Sequence, residues 1–542
     1  MENRGFSGAL IVRPAYLPVV MLLIGTICFW IELFFMPSEY GRTTWLAWFF
    51  FLIYSGFSFI THRQGIKESW FWGIEQFKNC SKFVKYFFWV MIFSALLILV
   101  VAFKQALLPP HLPQEYDVIN YHLTLPRQHL IRHSFSHISW SVADLYYAPL
   151  DIALAPYWLS TFLPNKLPQY MFIFGLLTVA GSIVYRSTKK NFEAIVLTIA
   201  ALLGSHGLCI QFGTAMLDVV MLYLVLVAID SLLSGKYIFA ALAFTFYLWS
   251  KTFIPIQCIA VALIFLILKY FLEWFGKVEV IWDRGGNLSW KILLKWMTGL
   301  MVLSIFIGGP FIYKSIYYTG TPAYPFFTGM VHNSHYQQDQ MKWLGVIKKS
   351  KELLNIKDMY GKGRGGREFF EQFWVLAVPE KGVNNRFDYP LGLPYLLALL
   401  PFFYLFYKQI QIGKIEAVYL FIIIFWVIWW LGSQQSRFLF VPLGLILIRI
   451  YSLPLMRKKM VFIALTIAIF LCTLSIVRDN RRDIFKSGLE VLSQKDRELM
   501  RISATLDKSK TVKLDFLEIA FAGFPVDVDK KDSLFVFNSS NF

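Results

Sequence analysis

The sequence predicts an all-α polytopic membrane protein, and three observations carry that prediction. Of 542 residues 57% are hydrophobic and 18% aromatic, and only 16% are charged, where an average chain carries roughly 25%. The 34 acids and 52 bases are too few and too clustered to coat the soluble domains that a chain of this length would otherwise form. A content of 53 Phe, 27 Tyr and 18 Trp excludes disorder.

A helix needs about 20 apolar residues to cross a bilayer. Thirteen runs qualify as spans: 16–36, 44–61, 84–107, 168–185, 192–210, 215–233, 237–250, 252–272, 292–313, 390–407, 415–431, 438–452 and 460–477. Lys251 interrupts the pair 237–250 and 252–272. The first run, preceded by Arg4 and Arg13, is too long for a signal-peptide core and has no clear small-residue cleavage site, so it reads as a retained span. Thirteen transmembrane helices follow, with residues 1–83 as an N-terminal two-helix hairpin and loop, 84–477 as the main transmembrane unit and 478–542 as a small tail.

The net charge of +18 fits this reading better than nucleic-acid binding, for which no recognition motif is present. Bases accumulate in alternate connections: Arg63 to Lys85, Arg186 to Lys190, Lys236, Lys269 to Lys291, Lys408 and Lys414, and Arg449 to Lys459. The opposite set holds only Arg42, Arg127, Arg132, Lys166, Lys251 and Arg437. By the positive-inside rule the N-terminus is cytoplasmic and the tail external. The five cysteines (Cys28, Cys80, Cys209, Cys258, Cys472) form no CxxC pair and suggest neither a disulfide framework nor a zinc site.

Three segments then project outward. The loop 108–167 contains a stretch, Asp117 to His133, that reads as an amphipathic juxtamembrane helix with Ile119, Leu123, Leu130 and Ile131 toward lipid. The loop 314–389 is longer and basic, and its Tyr324, Phe326 and Phe327 suit an interfacial aromatic belt. The tail has a helical pattern near 483–507 and strand-like runs LDFLEIAF and LFVF, consistent with a small α/β cap.

The chemistry-bearing residues cluster at the outer rim. Glu115 and Asp117 form an acid-x-acid pair just past the third span, with Tyr121 and His122 following. A carboxylate there can take a proton from a hydroxyl or hold a divalent cation against a phosphate, or it can merely cap the next helix. Asp218 opens the sixth span, where it is either a helix cap or a paired functional acid. Lys251 and Arg437 share that face, and Ser433, Gln434, Gln435 and Ser436 add donors beside Arg437. Such cations either snorkel or grip the phosphate of a lipid substrate. His332 and His335 have metal-ligand spacing without a partner acid, and GKGRGGR (361–367) has only the composition of a phosphate loop. No Walker A, HExxH or GxSxG motif and no S4-type charge ladder is present.

In order along the chain, these motifs resemble the GT-C superfamily of bacterial glycosyltransferases, in the branch of protein O-mannosyltransferases and lipid A aminoarabinose transferases. The resemblance spans 85–455 and rests on Glu115-Tyr116-Asp117, Tyr121-His122-Leu123, Tyr146-Tyr147-Ala148-Pro149, Asp218, Lys251-Thr252, TGTPAYPFF at 319–327 and Gln434 to Phe438. It implies a multi-pass inner-membrane enzyme with an extracytoplasmic active site. The enzyme would transfer a sugar, with inversion, from a polyprenyl-phosphate donor to a lipid, glycan or protein acceptor. Asp117 would be the base, with Asp218 and Glu115 as further catalytic acids. Tyr121, His122, Lys251, Arg437 and Gln434 would bind substrate. A divalent cation (Mg, Mn or Zn) would fall to Asp117 and Asp218. Family members often carry an acid where this chain has Ala148, which leaves Asp151 as the substitute ligand. The competing readings are a flippase or transporter of lipid-linked sugars, and a ligase that moves whole glycans from a polyprenyl pyrophosphate using Arg364, Arg367, His332 and His335.

Overall fold

A computed structural model describes residues 13–35, 42–110, 115, 117–138, 142–158, 166–276, 278–281, 290–324, 326–327, 364–377, 389–432, 434–481, 512–514, 526–528 and 535–537. Apolar runs without internal Gly or Pro clusters become helices: α1 (Leu17–Phe35), α2 (Arg42–Asn79), α3 (Lys82–Leu107), α4 (Thr124–Ile131), α5 (Pro149–Trp158), α6 (Leu167–Ser187), α7 (Phe192–Leu203), α8 (His206–Cys209), α9 (Asp218–Leu233), α10 (Tyr237–Leu248), α11 (Phe253–Trp274), α12 (Trp290–Ile307), α13 (Gly309–Thr319), α14 (Gly366–Val375), α15 (Leu393–Gln411), α16 (Ala417–Leu431), α17 (Phe440–Tyr451) and α18 (Lys459–Asp479). Side-chain caps begin two of them. Ser81 accepts from the Val84 amide at 3.3 Å and Asn191 from the Ala194 amide at 2.9 Å.

The architecture is an all-helical, multi-pass one, but the count of thirteen spans is not met. Among the described residues seven helices are long and apolar enough to cross a membrane, or eight if the bent pair α12–α13 is one span. Helices do lie at the other expected positions. However, α7, α10 and α17 have 12 residues, α16 has 15 and α9 has 16. At 1.5 Å per residue these reach about 18–24 Å, short of the ~30 Å hydrocarbon thickness. Conversely α2 runs 38 residues, so it continues as helix through the bases expected in a loop.

Burial separates inner from outer helices. Apolar side chains stay exposed along α2, α3, α11, α12, α15 and α18, among them Phe57, Trp89, Ile267, Phe306, Leu400 and Phe470. That belt is what lipid would cover. α9 and α17 are instead buried on nearly every side and form the centre, with α6, α7 and α10 packed around them.

The segment 108–167, expected to project outward, departs most from expectation. Among its described residues α4 presents no apolar face to the surface. Leu123 and Leu130 are core residues, and α4 is buried along its length through Leu130. All ten residues of α5 are buried, and this helix packs against α1. Gly25 makes that approach possible, because a Cβ there would lie 1.8 Å from the Ala153 carbonyl oxygen. The chain can turn inward because its polar groups find partners inside, as the site geometry below makes plain.

The expected span 292–313 is broken. α12 and α13 meet at 54°. Pro310 in the first turn of α13 supplies no amide, and Gly308 sits against the Trp249 indole, where a Cβ would come within 2.5 Å.

Two small sheets complete the fold. β1 (Glu279–Ile281) and β2 (Lys414–Glu416) pair in parallel, joining the α11–α12 and α15–α16 connections. Arg449 clamps that pair with bonds of 2.9 and 2.7 Å to Glu416. β3 (Val512–Leu514), β5 (Phe535–Phe537) and β4 (Val526–Val528) form an antiparallel sheet in that order within the tail. The helical pattern at 483–507 lies outside the described residues.

Candidate functional site

Charges separate along α9. Asp218 begins the helix, and Asp230 lies near its other end, about 18 Å away at 1.5 Å per residue. Asp230 accepts from Tyr16 and from Arg186 of α6, closing that end. The Asp218 end carries the candidate site.

Asp117 sits at the start of a π-helical turn, Val118–His122, and its side chain does not cap that turn. It accepts instead from Arg437 Nη1 at 2.8 Å. Arg437 belongs to the 3-10 turn Ser436–Leu439 that leads into α17. Gln435 Oε1 accepts from its Nε and Nη2, both at 3.3 Å, and so fixes the guanidinium plane. Lys251, in the break between α10 and α11, donates to Asp218 Oδ1 at 2.6 Å. Gln211 Nε2 approaches the other oxygen at 3.4 Å. Asp218 is therefore a paired acid rather than a helix cap.

Phe438 joins the two ion pairs. Lys251 Nζ lies 4.9 Å from its ring centroid and the Arg437 guanidinium 5.5 Å. Two cations thus lie against one aromatic ring, each with its own carboxylate. Asp218 is buried, whereas Lys251, Arg437 and Asp117 keep side-chain exposures of 16, 14 and 22%. Burial pushes the Asp117 carboxyl up, but Arg437, His122 and Lys251 outweigh it and hold the group below the usual carboxylate range.

The other expected residues divide. Tyr121 lies against His122, with ring centroids 4.3 Å apart. Asp151, from α5, accepts from His122 Nδ1 at 2.8 and 3.0 Å. Burial raises the Asp151 carboxyl, and His122 offsets only part of that rise. Gln434 is fully buried and donates to the Trp430 carbonyl at 3.1 Å, which braces the end of α16. Glu115 pairs with a different cation from Asp117. It accepts from Lys166 Nζ at 2.6 Å and from the Ala215 amide at 3.0 Å, with both charges buried. It ties the start of the outer segment to that segment's end and to the chain entering α9. Tyr324, expected in an interfacial belt, is fully buried and stacks on Tyr146 with centroids 6.0 Å apart. Arg364 donates to the Leu431 and Gly432 carbonyls at 3.3 and 2.6 Å, which caps α16. His332 and His335 lie outside the described residues.

The carboxylates suggested for a divalent cation do not fit one. Asp117, Asp218 and Asp151 each face a different cationic or protonatable partner. Among the described residues no group of three or more His, Cys, Asp or Glu is arranged to hold a metal.

A second buried cluster was not anticipated. Asp144 accepts from His129 Nε2 at 2.7 Å, from His137 Nδ1 at 3.0 Å and from the Ile138 amide at 2.7 Å. Lys314 of α13 stands 2.7 Å from the same carboxylate and 4.5 Å from the Phe135 ring centroid. Burial raises the Asp144 carboxyl, yet Lys314 and the histidines hold it well below the usual range. The sequence signal was a lysine inside an otherwise apolar helix, GPFIYKSIYYT. This cluster pins the outer segment to α13, and the Tyr147 amide donates to Thr252 Oγ1 at 3.0 Å to pin it beside Lys251.

The fold and site together define a helical, multi-pass architecture with two ion pairs meeting at one end of its buried centre. Comparison of the chain with protein-family models, curated proteins and solved structures returns no match.

Proposed function

We propose that the chain is a membrane glycosyltransferase that moves a sugar from a polyprenyl-phosphate donor to an acceptor on the extracytoplasmic side. The observation that carries this reading is the pairing of Lys251 and Arg437 over the Phe438 ring. Each is tethered to a carboxylate yet partly open to solvent. Two fixed, partly exposed cations suit a phosphate whose charge grows as its sugar leaves. The planar guanidinium offers two parallel donors and the ammonium a point charge. Asp117 stands beside them, hydrogen-bonded to Arg437. The bacterial inner membrane, the outer location of the site and a cytoplasmic N-terminus belong to the same proposal, supported by the distribution of bases along the sequence. The test is a transfer assay with the full chain in detergent or liposomes, using polyprenyl-phosphate sugars and a labelled acceptor mixture. Sugar transfer that depends on Arg437 and Lys251 supports the reading. Absence of transfer with every lipid-linked donor contradicts it.

One observation favours a second reading. The 54° break between α12 and α13, with Lys314 and Asp144 paired just beyond it, is the kind of discontinuous helix used by transporters and flippases. Movement of a lipid-linked sugar across liposomes without any transfer would select that reading.

A further inference from the structure

We propose that His122, oriented by Asp151, is the general base that takes the acceptor's proton, in place of Asp117. This rests on the glycosyl-transfer reading above and names the group that performs its proton step.

The geometry of His122 is that of a prepared imidazole. Its Nδ1 lies 2.8 Å from Asp151 Oδ1 and 3.0 Å from Oδ2. An ionised carboxylate only accepts, so Nδ1 carries the hydrogen and Nε2 keeps its lone pair. Among the described residues Nε2 has no hydrogen-bonding partner. The Asp151 and His122 side chains are 3 and 5% exposed, so the pair is held in place rather than flickering in solvent. Tyr121 packs on the ring from one side. A buried carboxylate that fixes the tautomer of a histidine and stabilises its protonated form is the positioning half of an acid–base pair.

Asp117 is arranged for different work. Arg437 occupies its carboxylate at 2.8 Å, and the surrounding cations weaken it as a proton acceptor. Its charge is better used to orient Arg437. The charged groups around this set are Asp151 on α5, Asp117 on the preceding turn, Lys251 before α11 and Arg437 before α17. Asp218 pairs with Lys251 at the same site, so a proton arriving on His122 meets three carboxylates and two cations.

In the proposed step the acceptor hydroxyl gives its proton to Nε2. The oxygen's electron pair forms the new bond to the anomeric carbon. The bond from that carbon to the phosphate oxygen breaks, and its pair leaves with the polyprenyl phosphate, whose second negative charge falls between Arg437 and Lys251. His122 then passes the proton to water.

The experiment uses the full chain with the donor and acceptor mixture described above, and measures kcat and KM against pH for wild type, His122→Asn, His122→Gln, Asp151→Asn and Asp117→Asn. Binding of polyprenyl phosphate is measured for each variant as a check that the site is intact. His122→Asn keeps an N–H donor toward Asp151, so it preserves packing while removing Nε2. The expected result is a fall in kcat of about 10²- to 10⁴-fold for both His122 variants, with the ascending limb of the pH profile lost and polyprenyl-phosphate binding unchanged. Asp151→Asn lowers kcat by favouring the wrong tautomer, whereas Asp117→Asn acts mainly on KM for the donor. Wild-type kcat and pH profile in the His122 variants, or loss of the ascending limb in Asp117→Asn alone, overturns the assignment. Wild-type enzyme that binds polyprenyl phosphate but transfers no sugar overturns the transferase reading, and the assignment with it.

Discussion

Arg437 Nη1 lies 2.8 Å from the Asp117 carboxylate across 320 positions of sequence. This ion pair ties the segment 108–167 to the turn between α16 and α17. It also determines which charges remain for a ligand. The site gives each cation one carboxylate partner, Asp117 for Arg437 and Asp218 for Lys251, and leaves both cations partly exposed to an incoming anion. It avoids burying bare cations, which would be costly.

Replacing Arg437 tests that division. Arg437→Ala removes charge-assisted hydrogen bonds worth about 1.5–3 kcal/mol, so affinity for polyprenyl phosphate should fall about 10- to 150-fold. Arg437→Lys keeps the charge but not the fork and should recover only part of the loss. Titration calorimetry with a short-chain polyprenyl phosphate measures both. The same change leaves burial as the main influence on Asp117, so its carboxyl should rise from its depressed position. An infrared carboxylate band that titrates at higher pH in Arg437→Ala checks the sign.

The Glu115–Lys166 pair predicts a stability effect. Both groups are buried at 2.6 Å, so Lys166→Met leaves an uncompensated carboxylate and should cost about 3–5 kcal/mol. The double variant Glu115→Gln, Lys166→Met removes both charges and should regain most of the loss. Thermal unfolding in detergent, run as a double-mutant cycle, gives the coupling. A merely additive result would mean that the pair does not clamp the segment.

These two contacts show how far the sequence could be read. Charges are rare enough in an apolar chain that Asp117, Asp218, Lys251 and Arg437 stood out, and the structure brings them around the Phe438 ring. Helix positions were legible for the same reason, since long apolar runs have few alternatives. The inward folding of the first outer segment was not. Leu123 and Leu130 read as lipid-facing because the partners that drew the segment inside, Lys166 and Lys314, lie 51 and 170–185 positions away from Glu115, Asp144 and His129. Local pattern carries no information about such pairings. Helix length failed for a related reason: α7, α10 and α17 are shorter than their apolar runs because buried helices have hydrophobic residues in their flanking turns as well.

The Asp144 cluster predicts how stability responds to pH. Burial lowers His129 and His137 below the ordinary histidine value, so both are neutral in the folded protein over a range where the unfolded chain is protonated. The unfolded state then binds more protons, and stability must fall as pH drops below about 6.5. Asp144, held well below the carboxylate range, stays ionised in both states through this window, so its contribution is lost only at more acidic pH. Unfolding temperature should therefore decrease between about pH 7.5 and 5.5. His129→Gln combined with His137→Gln should flatten that dependence while lowering stability overall. An unchanged slope in the double variant would place the sensitivity elsewhere.

Gly308 lies at the bend between α12 and α13, and its replacement separates packing from propensity. Alanine is the better helix former by about 1 kcal/mol, so Gly308→Ala would stabilise a straight, unobstructed span. Here the new Cβ meets the Trp249 indole at 2.5 Å, and the ring also packs on Tyr147, with centroids 5.3 Å apart. The indole cannot yield toward Tyr147, because Tyr147 is buried and its amide is committed to Thr252. Overpacking of this kind costs about 1–3 kcal/mol, which exceeds the gain in propensity. Gly308→Ala should therefore lower the unfolding temperature, and Trp249→Phe in the same chain should restore part of it by removing ring atoms at the contact. Because Trp249 lies two residues before Lys251, the single variant should also weaken polyprenyl-phosphate binding, and the double variant should recover it. Recovery of stability without recovery of binding would show that the bend supports the fold but does not position Lys251.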